Sequence, residues 1–199
     1  MNVVGILLAA GKGRRFDPSG ASNKLLAPLA SDELVAVASA RAMLAVLARV
    51  IAVVPNIDGD VARLLREAGC EVTACMGVDT GMAASLVHGL RHSLPVADGW
   101  IIALADMPYV APTTIAALRA AIAAGAAIAA PLHRGRRGNP VAFGVAHVEQ
   151  LLALQGDHGA RALLTAHTVT EVEVDDAGVL HDIDTPADLG KSPVRGATT

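Results

Sequence analysis

The sequence predicts an α/β fold: a single domain with a mostly parallel sheet flanked by helices. Three observations predict it. Short apolar runs recur at Val3–Ala10, Arg49–Val54 and Trp100–Ala105, as strands buried on both faces do. Longer segments of helical spacing separate these runs. Proline or glycine closes several elements, at Pro55, Gly69 and Gly125. Strand and helix in alternation imply helices on the faces of a parallel sheet, with right-handed crossovers.

The elements follow in order. Val3–Ala10 is β-branched at its start and reads as the first strand. Leu34–Ala48 has helical length. Arg49–Val54 is a buried strand ended by Pro55. Asp60–Ala68 is a helix closed by Gly69. Glu71–Cys75 is a short strand and Gly81–Leu94 a helix. Trp100–Ala105 is a strong buried strand that runs into Asp106-Met107-Pro108. Thr113 or Thr114 supplies a hydroxyl cap for a helix that runs to Gly125. Ala126–Leu132 is strand-like, Val148–Ala153 and Ala160–His167 are helical, and Thr168–Val174 alternates as a strand. Residues 1–191 read as one domain, and Ser192–Thr199 as a frayed tail.

Composition narrows the function classes. A chain of 199 residues buries about 70% of its unfolded surface and folds without metal or disulfide. Apolar residues make up 53%, which excludes a disordered chain, and 40 of them are alanines suited to close packing. The four aromatic residues are too few for a base-stacking platform. Sixteen basic against 19 acidic residues give a net charge of −3, so no basic face points to nucleic acid or an anionic membrane. Cys70 and Cys75 lack CxxC spacing and read as reduced packing residues of a cytoplasmic protein. No positive n-region precedes the first apolar run. The most apolar stretch, Ala120–Leu132, is shorter than the ~20 residues a spanning helix needs.

Parallel sheets bind ligands at the C-terminal ends of their strands. That rule selects two loops. The first reads Leu8-Ala9-Ala10-Gly11-Lys12-Gly13-Arg14-Arg15, then Asn23-Lys24-Leu25-Leu26. Its glycines let the backbone turn tightly and present N–H groups to an anion, and Arg15 and Lys24 add positive charge. It is either a polyphosphate cradle or a plain glycine turn with solvated charges. It is no Walker A loop, because no GK[ST] follows four spacers, and no dinucleotide fingerprint, because Phe16 replaces the third glycine. The second loop is Ala105-Asp106-Met107-Pro108. A carboxylate directly after a buried strand either holds Mg²⁺ together with substrate phosphates or shapes a turn.

Four further segments carry candidate chemistry. Gly81-Met82-Ala83-Ala84-Ser85-Leu86 opens a helix whose free N–H groups and Ser85 hydroxyl suit a nucleobase or phosphate. Arg134–Val141 is a cationic, glycine-rich turn. Gly156-Asp157-His158-Gly159-Ala160-Arg161 is a second glycine-rich stretch. His181–Leu189 holds three aspartates that either add a metal ligand or cap a helix at Thr185-Pro186. The seven histidines lack metal-ligand spacing, and no Ser-His-Asp or Cys-His arrangement is readable.

The order LAAGxGxR, NKLL, GMxxSL, DMP, RRGNPV, GDxGAR and DIDTPxDL resembles the molybdenum cofactor cytidylyltransferases and their guanylyltransferase relatives, over most of residues 3–189. The resemblance implies a Rossmann-like nucleotidyltransferase of the glycosyltransferase-A type. It implies triphosphate binding by Leu8, Ala9, Ala10, Gly11, Gly13, Arg15 and Lys24. Asp106 would bind Mg²⁺, with Asp184 completing the metal site. Gly81, Met82 and Ser85 would lie on the nucleobase side. Arg137, Asn139 and Pro140 would contact the acceptor, with Gly156, Asp157 and Arg161 framing the same pocket. Arg15, Lys24 and Asp106 are the implied catalytic set.

The implied substrates are CTP, or GTP, and molybdopterin cofactor. A molybdoenzyme or its chaperone is an implied partner. Ala10, where the guanylyl branch has glycine, and GMAASL favour CTP. Transfer to a sugar phosphate or an isoprenoid precursor, a non-catalytic cofactor carrier, and an α/β domain with a degenerate loop are the alternatives. Two stretches depart from the family pattern: Phe16–Ser22 is longer, and Ala30–Leu34 replaces a glycine turn.

Overall fold

In the computed structural model, which describes residues 1–11, 13–76, 81–156 and 160–190, the first buried run becomes β1 (Val3–Leu8). It is followed by α1 (Val35–Leu44), β2 (Val50–Val54), α2 (Asp60–Glu67), β3 (Glu71–Ala74), α3 (Met82–Ser93) and β4 (Gly99–Leu104). The chain continues through α4 (Pro112–Ala123), β5 (Ile128–His133), β6 (Arg136–Arg137), β7 (Val141–Gly144), α5 (Val148–Leu152), α6 (Arg161–Ala166) and β8 (Thr170–Glu173).

The strands form one sheet in the order β3-β2-β1-β4-β7-β5-β6, with β8 on β5. The β3-β2-β1-β4 half is parallel throughout, as the continuous apolar strands require. Leu132 pairs with both Arg137 and Glu173, and Ala129 with both Ala142 and Thr170, so β6 and β7 share one edge of β5 while β8 takes the other. Successive residues of β1 face opposite sides. Leu7 joins the layer containing Val35, Leu65 and Leu118 of α1, α2 and α4. Ile6 joins the layer containing Leu86, Leu151 and Leu163 of α3, α5 and α6. Each such fully buried aliphatic side chain contributes about 1.5–3 kcal/mol relative to exposure. Trp100 is fully buried, and its indole N–H donates to Ser93 Oγ at 2.7 Å, so its polar atom is satisfied.

Three local features differ from the sequence reading. First, the cationic turn 134–141 holds strand β6 and leads directly into β7, and β7 runs antiparallel to both β4 and β5. The β5–β6 connection is Arg134-Gly135 with both φ angles positive (50° and 73°), the geometry of a type I′ hairpin. Second, α4 begins at Pro112 with Ala111 as its cap residue; Thr114 Oγ1 instead donates to Asp176 at 2.7 Å. Third, Thr185-Pro186 opens a single 3₁₀ turn, with Asp188 accepting from the Thr185 N–H at 2.8 Å.

The two departing stretches have local explanations. Asp17 accepts from Ser19 N, Ser19 Oγ and Ser22 N, so the longer stretch closes on its own carboxylate, which these bonds hold below the ordinary aspartate range. Asp32 adopts φ 61° between the Leu29 and Glu33 backbone bonds, taking the left-handed conformation that glycine would supply. Among the described residues no helix is long and apolar enough to cross a membrane. Both cysteines are buried free thiols, and burial pushes Cys70 up to about 11.

Candidate active site

β1 and β4 are neighbours, with Leu8 opposite Leu104. Their C-terminal ends are tied by Ala105 N–H donating to Leu8 O at 3.0 Å, so the loops that follow must share one edge of the sheet. Gly11 follows one strand and Asp106 the other. On the α1 side, Ser39 Oγ donates to Ala105 O at 2.9 Å and fixes the backbone just before Asp106.

Lys24 is delivered by a 3₁₀ turn (Lys24–Leu26) whose cap, Asn23, accepts from Leu25 N at 3.0 Å. The Lys24 residue is only 8% exposed. Its ammonium meets Asp106 Oδ2 at 2.5 Å and Asp184 Oδ1 at 3.4 Å. Arg15 Nη1 meets Asp184 Oδ2 at 2.5 Å. Two cations and two carboxylates from three distant stretches therefore gather at one point. A buried ammonium requires such pairing.

Asp106 Oδ1 is buried and has no hydrogen-bond partner among the described residues. A buried carboxylate oxygen with no donor has capacity to accept from a cation or a further donor. Among the described residues no group of three or more His, Cys, Asp or Glu gathers to hold a metal. The donor set fits a hard cation such as Mg²⁺ or Mn²⁺, which takes one or two carboxylates and completes its shell with phosphate oxygens and water.

The sequence profile described as "MobA-like NTP transferase domain" matches residues 5–172. The chain belongs to that family. This MobA-like chain also resembles a crystal structure of Rv0371c from Mycobacterium tuberculosis H37Rv in complex with manganese, at 29% identity and a TM-score of 0.74, covering 94% of this chain and 96% of that one. A nucleotidyl transferase from Methanothermobacter matches at 25% identity and TM-score 0.77, covering 94% of each chain. Molybdopterin-guanine dinucleotide biosynthesis protein A from Archaeoglobus fulgidus, at 20% identity and TM-score 0.68 over 94% of each chain, shares the fold. No curated protein matches. The family assignment makes this chain a nucleotidyltransferase with a Rossmann-like, mostly parallel sheet.

The structure places the remaining expected residues as follows. Leu8 ends β1, and Ala9 is buried with its N–H donated to Val53 O at 2.9 Å. Ala10 is half-buried, and Gly11 is exposed. Gly13 has φ 58°, and a Cβ there would touch the Lys24 stem at 3.6 Å. Gly81 precedes α3, Met82 is exposed and Ser85 buried. Asn139 and Pro140 line a small cavity with Ser39, Leu104 and Met107, which places the RRGNPV turn beside the Asp106 strand end. Arg137 points elsewhere: its Nε donates to Glu171 Oε1 at 2.6 Å across β5. Gly156 and Arg161 flank the stretch containing Asp157, which, like Lys12, lies outside the described residues.

One residue of this region escaped the sequence reading. Asp176 is buried and accepts three hydrogen bonds. Its only local signal is Asp-Ala-Gly, the spacing of an aspartate that bonds the backbone two residues on.

Proposed function

We propose that this chain transfers CMP from CTP to the terminal phosphate of molybdopterin cofactor, releasing pyrophosphate. The observation that carries the reading is the Lys24–Asp106–Asp184–Arg15 cluster at adjacent strand ends. Cations that bind phosphate stand there beside carboxylates that bind a divalent ion. The LAAGxGxR and GMAASL segments support CTP as donor by resemblance, and RRGNPV supports the acceptor in the same way.

The attacking group would be an anionic phosphate oxygen, so no strong general base is needed. Placement and neutralised repulsion are needed instead. Lys24 and Arg15 move from carboxylate to phosphate oxygens and hold the charge that grows on the leaving pyrophosphate. Backbone N–H groups after β1 orient the same phosphates. Asp106 and Asp184 would hold Mg²⁺, which neutralises charge on the α-phosphate when bound.

The test is pyrophosphate release from purified protein, Mg²⁺ and molybdopterin cofactor with each of CTP, GTP, ATP and UTP, followed by mass analysis of the product. CTP-dependent release with a cytidylylated product is expected. Release with GTP in preference to CTP overturns the base assignment. Release only with a different phosphate acceptor overturns the cofactor assignment. Nucleotide binding with no release from any pair leaves a carrier.

A further inference from the structure

Asp184 lies far along the chain from Lys24, in a segment with little regular structure. Something must hold it in place. The segment 176–184 is joined to the rest of the protein through the Asp176 side chain and through the backbone of Gly178, Val179 and Ile183. Asp176 Oδ2 accepts from Ala111 N at 2.8 Å and from Thr114 Oγ1 at 2.7 Å, and its Oδ1 accepts from Gly178 N at 3.0 Å. Gly178 packs so closely on Tyr109 that a Cβ would overlap its carbonyl. Val179 O accepts from Asn139 N at 2.9 Å. Ile183, fully buried, donates its N–H to Asp106 O at 2.8 Å.

Asp176 alone among these makes side-chain bonds, and all three of its donors are accounted for. It clamps the segment to the first turn of α4, the helix that follows Asp106-Met107-Pro108. A carboxylate is the group for this task, because it only accepts. An amide would turn an N–H toward one of the donors.

We propose that Asp176 is a positioning residue that, together with the Asp188 carboxylate that accepts from Asp184 N at 3.3 Å, presents Asp184 to Lys24 and Asp106, so that it raises the affinity of the site for a divalent cation without touching it. This rests on the proposed function in taking Asp106 and Asp184 as the cation's carboxylates.

Two measurements test it. Hydrogen exchange by mass spectrometry on Asp176→Ala should show protection lost over 176–184, with β1 and β4 still protected. Mn²⁺ titration followed by electron paramagnetic resonance should show affinity lowered about tenfold in Asp176→Ala and in Asp184→Ala. The double variant should bind like Asp184→Ala alone, because a residue acting only through Asp184 adds nothing once Asp184 is gone. Asp176→Asn should fall between Ala and wild type. Thr114→Val removes a single bond, and serves if Asp176→Ala fails to fold.

Unchanged exchange over 176–184 overturns the proposal. So does protection lost throughout the molecule in both Asp176→Ala and Thr114→Val, or a double variant weakened by the product of the single effects. A wild-type chain that binds no Mn²⁺ counts instead against the proposed function, and hydrogen exchange then decides the clamp alone.

Discussion

The loop after β1 and the segment 176–184 meet at one site, yet they are built in opposite ways. At Gly11 nothing among the described residues lies within 4 Å of where a Cβ would stand. At Gly178 a Cβ would overlap a neighbouring backbone carbonyl, and at Gly138 it would overlap that of Val179. Glycine in the first region faces open space. Glycine in the second lets protein backbones touch. The same residue type serves access in one place and contact in the other, and only the three-dimensional surroundings tell them apart.

The comparison can be broken or sharpened by substitution. Asp106→Ala should abolish turnover, while Lys24→Ala should cost on the order of 10²–10³-fold, as lost oxyanion donors do, read as pyrophosphate release with thermal melts alongside. A near-normal rate in either removes that residue from the site. Gly178→Ala should act on the fold instead. Overpacking against backbone costs about 3 kcal/mol, a fall of roughly 10 °C in Tm for a chain of this size. An unchanged melt would mean that the 176–184 segment yields easily and is no fixed platform.

Gly11→Ala should leave stability within about 0.5 kcal/mol and yet shrink the Tm rise produced by nucleotide with Mg²⁺. Loss of stability instead would erase the contrast between the two regions. The smallest effect should come from outside both. Burial holds His88 below its ordinary pKa, helped by nearby His92 and Arg91, while Thr73 Oγ1 lies 2.7 Å from its Nε2. The unfolded chain therefore takes up this proton first. Stability from His88 is full above pH ~6.5 and declines as pH falls below it. His88→Gln should flatten that part of the Tm–pH curve, and an identical slope in the variant would sink the assignment.

Much of the placement of the candidate site is legible because it depends on local order. Continuous apolar runs mark β1 and β4, and the rule for parallel sheets puts Gly11 and Asp106 at one edge. Lys24 was legible as a charge near a glycine loop, though its burial beside two aspartates was not. Val141–Gly144 went unread as a strand because it is short, follows Pro140 and closes a segment dominated by arginines. Arg137 reads in sequence as an acceptor contact, and nothing there shows its bond to Glu171, 34 residues away. Asp176 was invisible for the same reason: two of its donors stand 62 and 65 residues upstream. Local patterns report elements and turns. Pairings between distant stretches leave no mark in either one alone.

The ammonium of Lys24 joins Asp106 across 82 residues and Asp184 across 160. Both closures carry the entropy cost of a long loop, which the surrounding sheet must offset. A molecule seated in this corner would fasten the opening strand to the closing stretch. Melting with such a molecule bound should then be a single cooperative event, because neither end can come loose while the other holds.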